Sequence, residues 1–108
     1  MLNVGQRIED FTIERELGRG GMGVVYSAVN EKTAERVAIK VLAPHLLPDP
    51  RQRRRFQREA YAATEIEHDG LVRVLGHGEH EQAEPYIIME YLDGASLRQA
   101  LQAAPDQR

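Results

Sequence analysis

The stretch LGRGGMGVVY, Leu17 to Tyr26, places glycine at four of the six positions from 18 to 23 and then passes at once into a β-branched and aromatic run. Glycine at Gly18, Gly20, Gly21 and Gly23 removes Cβ and opens positive φ, so main-chain N–H groups can turn toward a ligand that side chains would hold away. Phosphate is the commonest ligand of that kind. The residues after the glycines separate the phosphate loops from one another: a dinucleotide loop opens a helix, and a Walker loop ends in Gly-Lys-Ser/Thr. Here Val24, Val25, Tyr26, Ser27, Ala28 and Val29 favour a strand, so the loop joins two strands. On this stretch alone, a glycine hairpin without a ligand reads equally well.

Upstream of the loop, Phe11, Ile13 and Leu17 alternate with Thr12, Glu14 and Glu16, the period of a half-buried strand, with Arg15 the one exception on the apolar side. Downstream, a strand from about Val24 to Val29 leads into the polar turn NEKTAE and a third strand, RVAIKVL, completing an antiparallel meander. Three prolines in APHLLPDP then break the pattern. RQRRRFQREAYAATEIE carries strong helix formers and predicts a helix from near Asp49 or Pro50, with Asp49 as its cap and Pro50 in its first turn. LVRVLGHG and PYIIMEYL, separated by the acidic turn EHEQAE, predict two more strands, YIIM being a buried one. DGASLRQALQAA predicts a second, short helix.

A chain of 108 residues, 42% hydrophobic and 29% charged, has room for one small domain and one site. Its net charge of −3 gives no general attraction to nucleic acid or to an anionic membrane. Cysteine is absent, which excludes disulfides and thiol chemistry and fits the cytoplasm. No apolar run approaches the roughly 20 residues of a membrane span, and MLNVGQRIED lacks the apolar core of a signal peptide. RQRRRFQR holds one aromatic residue in an acidic chain and reads as a solvated helix face, not a nucleic-acid patch. His77 and His80 with Glu79 and Glu81 read as a polar hairpin turn, not a metal site, and His68 as a turn residue.

Within the third strand, Val37, Ile39 and Val41 share one face, while Ala38, Lys40 and Leu42 share the other. A lysine among apolar neighbours either snorkels to water or has a partner. On the predicted helix, Phe56, Ala60, Ala63 and Ile66 form one apolar stripe, and Glu59 falls inside it. An unpaired buried charge costs several kcal/mol, so Glu59 requires a cation in the layer it faces, and the sheet offers Lys40.

Taken together, LGRGGMGVVY, VAIK, the glutamate of FQREA and YIIMEYLDGASL resemble the N-terminal lobe of a protein kinase, most like the bacterial serine/threonine kinases of eukaryotic type. The resemblance implies an α+β fold, a five-stranded antiparallel sheet with one principal helix. It divides the chain into an N-terminal extension (1–10), the lobe itself (11–92) and a hinge exit leading into the C-lobe (93–108). It further implies that Gly18, Gly20 and Gly23 let the loop cover the ATP phosphates, with Arg19, Gly21, Met22 and Val24 completing it. Leu17 and Val25 would clamp the adenine, with Ala38 beside it. Lys40 would hold the α- and β-phosphates, positioned by Glu59. Met89 would stand at the back of the pocket, and the backbone of Glu90 and Leu92 would bond the adenine edge. The arginines that open the helix would face a phosphorylated activation loop.

Two departures from the family pattern stand out. HDG carries Asp69 where relatives usually have proline, which touches the turn before the fourth strand. More consequentially, the sequence contains no H-R-D-x-x-x-x-N, D-F-G or A-P-E, the motifs that supply the family's catalytic base, metal ligands and substrate platform. Magnesium and protein substrates are therefore expected only with the C-lobe, and this chain alone is expected to be inactive. A different reading makes it a non-catalytic truncated lobe that acts as an interaction module or pairs as a homodimer.

Overall fold

The computed structural model describes residues 2–20, 23–65, 74–80 and 84–91, and only the backbone of 59–65, 80 and 84. Its elements are β1 (Arg7–Ile8), β2 (Phe11–Arg19), β3 (Gly23–Asn30), β4 (Arg36–Leu42), a 3-10 turn at Pro44–Leu46, α1 (Pro50–Glu65), β5 (Val74–His80) and β6 (Glu84–Glu90). The strands form one sheet in the order β1-β2-β3-β4-β6-β5, with every neighbouring pair antiparallel. The five strands and the principal helix expected from the sequence are present. A sixth strand, the two-residue β1, precedes them, and the residues around it bring Leu2 and Ile8 into the core. The stretch expected to form a second helix, residues 93–104, lies outside the described residues.

Alternation along β3, β4 and β6 divides the apolar residues between two cores, one on each face of the sheet. The first gathers Val24, Tyr26 and Ala28 with Val37, Ile39 and Val41, and is completed by Tyr86, Ile88, Leu2, Ile8 and Ile13. The second gathers Val25, Ala38, Leu42, Ile87 and Met89 beneath Phe56 of α1. The split of VAIKVL read from its period is thus the split between the cores. In β2 the structure corrects the periodicity. Strict alternation puts Ile13 and Leu17 on one face, yet Ile13 lies in the first core and Leu17 packs against the second. Two register shifts cause this: the extra residue Glu14, between Ile13 and Arg15, turns the following residues to the other face, and Leu17 is itself the extra residue of a second shift between Glu16 and Gly18. Arg15, the exception in the alternation, is thereby exposed.

The sheet curls strongly. The Tyr86 hydroxyl on β6 donates to Oε2 of Glu9, the residue after β1, at 2.7 Å, and the Leu2 amide donates to the Tyr26 hydroxyl at 3.3 Å. The N-terminal segment therefore closes the mouth of the first core. At the other face α1 begins as its sequence predicts: Asp49 Oδ1 accepts from the Arg51 amide at 2.9 Å, and the Asp49 carbonyl accepts from Gln52 and Arg53. Arg51, Arg54 and Arg58 are exposed, and Phe56 is buried.

Candidate functional site

Lys40 lies at the centre of the sheet, paired with Val25 on one side and Ile87 on the other, and is 2% exposed. Its face carries Ala38 and Leu42, and its Nζ stands 5.9 Å from the centroid of the Phe56 ring. A cation at that distance from an aromatic face gains a modest attraction, larger where water is excluded. Glu59 lies three residues beyond Phe56 on α1, which puts the two positions on the same side of the helix. The Glu59 side chain lies outside the described residues, as do those of Ala60 and Ala63 and the whole of Ile66.

The glycine loop ends directly over the lysine. Gly18 pairs with Val25, and the Gly20 amide donates to the Gly23 carbonyl at 2.8 Å, narrowing the hairpin. Gly21 and Met22 lie outside the described residues. At Gly23 the need for glycine is not positive φ, which among the described residues occurs at Gly5, Glu9 and Ala34. It is space: a Cβ at Gly23 would run into the Val41 carbonyl oxygen on β4 and come within 3.5 Å of Lys40 Cε. The loop backbone thus rests on the Lys40 stem.

Leu17, Val25, Ala38 and Met89 meet in the second core, on the lysine side of the sheet. Val24 and Arg19 do not share that side. Val24 belongs to the first core, and Arg19, its register partner, holds Glu16 in a two-point contact at 2.6 and 3.1 Å. That pair lowers the Glu16 pKa and raises that of Arg19, but it is exposed to solvent and adds little stability. Met89 pairs with Ala38 and Val74, and the β4–β6 ladder ends at Val37 and Glu90, where the chain leaves the sheet. Leu92 lies outside the described residues.

Side chains that no sequence pattern singles out surround this exit. Glu14, the bulge residue, accepts from Ser27 Oγ at 2.7 Å and from Arg36 Nε and Nη2 at 2.9 and 3.2 Å. Hydrogen bonds from Arg36 first, and from Ser27 second, hold the Glu14 carboxyl below its ordinary pKa. The Arg36 guanidinium lies 5.8 Å from the centroid of the Tyr91 ring, and Arg15 Nη2 donates to the Tyr91 hydroxyl at 3.3 Å. The one sequence hint was Arg15, whose break in the alternation marks the bulge.

Comparison with known proteins agrees with this geometry. Residues 11–107 match the protein kinase domain family. The chain is 44% identical over 94 residues to the serine/threonine-protein kinase Pkn1 of Myxococcus xanthus, covering 87% of this chain and 13% of that protein. It is 41% identical over 108 residues to a probable serine/threonine-protein kinase PknB of Lactococcus lactis, covering 97% of this chain and 17% of the relative. The crystal structure of the Mycobacterium tuberculosis PknI kinase domain superposes with a TM-score of 0.69 at 32% identity, over 95% of this chain and 43% of that one. The chain thus spans a small part of the length of its curated relatives, and less than half of a solved kinase domain. Among the described residues no helix is long and apolar enough to cross a membrane. A curled antiparallel sheet with one helix, matched along nearly its whole length by bacterial serine/threonine kinases, belongs to the protein kinase domain family and forms its N-terminal lobe.

Proposed function

We propose that this lobe binds ATP and, together with a C-lobe, transfers its γ-phosphoryl group to serine or threonine hydroxyls of proteins. The observation that carries the reading is the buried Lys40, set between Val25 and Ile87 with the end of the glycine loop lying on its stem. A buried cation beside a backbone-rich loop suits phosphate, and the apolar group Leu17, Val25, Ala38 and Met89 suits the adenine. The backbone of Glu90 and Leu92 would then hydrogen-bond the adenine edge. Glu59 would hold Lys40 in place, and Lys40 would bind the α- and β-phosphates. Val24 and Arg19, whose side chains are directed elsewhere, would contribute only through their backbone.

The family's magnesium chemistry rests on motifs that this sequence does not contain. Phosphoryl transfer depends mainly on positioning and charge stabilisation, so a lobe without those groups holds nucleotide weakly and transfers nothing. Titration of the 108-residue chain with a fluorescent ATP analogue should give weak, saturable binding that Lys40→Met reduces at least tenfold. Radiolabelled ATP, magnesium and a generic acceptor should give no label above the Lys40→Met control. In a longer chain carrying the C-lobe motifs, Lys40→Met and Glu59→Gln should each strongly reduce transfer while leaving the fold intact. Near-normal turnover in either variant overturns the assignment.

A further inference from the structure

We propose that Glu14, Arg36 and Tyr91 form a clasp that positions the segment leaving β6, and through it the backbone of Glu90 that faces the adenine. This rests on the nucleotide reading above. The main-chain ladder between β4 and β6 ends at the pair Val37 and Glu90, and among the described residues no further sheet register fixes the exit. Tyr91, 44% exposed, is the first residue past the end. Side-chain contacts take over there. Arg36, the residue before Val37, places its guanidinium 5.8 Å from the Tyr91 ring centroid, and Arg15 donates to the Tyr91 hydroxyl.

Arg36 is itself held from behind. A guanidinium has a fixed fork of donors, and two of them, Nε and Nη2, meet the two carboxylate oxygens of Glu14 at 2.9 and 3.2 Å. Glu14 is fixed in turn by the hydroxyl of Ser27, which is 1% exposed, at 2.7 Å. The bulge in β2 makes this arrangement possible. Consecutive residues of a regular strand point to opposite faces, yet here Glu14 reaches Arg36 while its neighbour Arg15 reaches Tyr91. Two strands, β2 through Arg15 and β4 through Arg36, therefore reach one exposed ring at the end of β6, and β3 supports them through Ser27. Glu14 and Arg36 touch no reacting atom; they are positioning residues.

The test compares Arg36→Gln, Tyr91→Ala, Tyr91→Phe and the double variant Arg36→Gln/Tyr91→Ala in the 108-residue chain. Affinity for a fluorescent ATP analogue is measured beside the thermal midpoint and the chemical shifts of the Arg36 δ-protons. Arg36→Gln and Tyr91→Ala should each weaken binding about three- to tenfold, the size of the net contribution of one hydrogen bond. The double variant should lose little more than either single one, because both remove the same clasp. Tyr91→Phe, which keeps the ring, should bind within about twofold of wild type. Upfield-shifted Arg36 δ-protons, lost in Tyr91→Ala, report the neighbouring ring independently of nucleotide. Saturable wild-type binding with unchanged affinity in Arg36→Gln and Tyr91→Ala overturns the clasp alone, as does an affinity loss that merely tracks the thermal midpoint. A wild-type chain that binds no nucleotide overturns the ATP reading, and the positioning role falls with it.

Discussion

Gly23 shows how one missing methyl group sets the distance between a loop and the strand beneath it. The nearest obstacle to a Cβ there is the Val41 carbonyl oxygen, part of the β3–β4 ladder, and not the flexible end of a side chain. The strands must therefore separate to admit any larger residue, and overpacking of this kind costs about 1–3 kcal/mol. Gly23→Ala should lower the urea midpoint accordingly and move the loop off the Lys40 stem, weakening nucleotide binding further than the stability loss explains. An unchanged midpoint would mean that the strands are looser than their register indicates. Gly78 poses a related case, since its Cβ would meet the Tyr86 hydroxyl at 2.7 Å, and that ring can give way only by disturbing its bond to Glu9. Lys40 shows the converse: a charge kept at 2% exposure, its ammonium facing an aromatic ring.

At the scale of elements, α1 is tied to the sheet through Phe56, which is 1% exposed and packs with Val25, Ala38, Leu42, Ile87 and Met89. Phe56→Ala removes that contact and the ring beside Lys40 together, and a truncation of this size costs about 3–5 kcal/mol. Phe56→Leu, which keeps most of the volume, should retain the fold but lose the aromatic face. A chemical denaturation series should therefore separate the two variants, and equal stability would show that α1 is held elsewhere. Much of this level was legible in the sequence, because alternation and capping are local signals. RVAIKVL gave β4 to the residue, and Asp49 with Pro50 gave the start of α1. The glycine loop and Lys40 were legible because each breaks its local pattern. The bulge at Glu14 was not, since its register depends on β3, and neither was the Arg36–Tyr91 cation–π contact, which joins residues that no periodicity connects. β1 was invisible for a related reason: two residues carry no period, and pairing with β2 alone makes them a strand.

For the molecule as a whole, the decisive contact is the one that closes the curled sheet, Tyr86 to Glu9, between β6 and the segment after β1. Burial, and next the hydrogen bond to the Glu9 carboxylate, push the Tyr86 phenol up to about 12 from an ordinary value of 10.0. The folded chain thus keeps a proton that the unfolded chain gives up, so the contribution of this latch is fully present below the ordinary tyrosine pKa. As pH rises from there through the raised value, the unfolded state binds fewer protons than the folded one, and stability falls. Tyrosinate absorbance should accordingly show one component that titrates near the raised value, and Tyr86→Phe should remove it. The same change should cost about 0.5–1.5 kcal/mol near neutral pH, the net value of one hydrogen bond, while leaving the ring in the first core. It should also flatten the alkaline loss of stability, because the group responsible for that loss is gone. Superimposable alkaline unfolding profiles for the wild type and Tyr86→Phe would show that the N-terminal segment closes the sheet through packing of Leu2 and Ile8 alone.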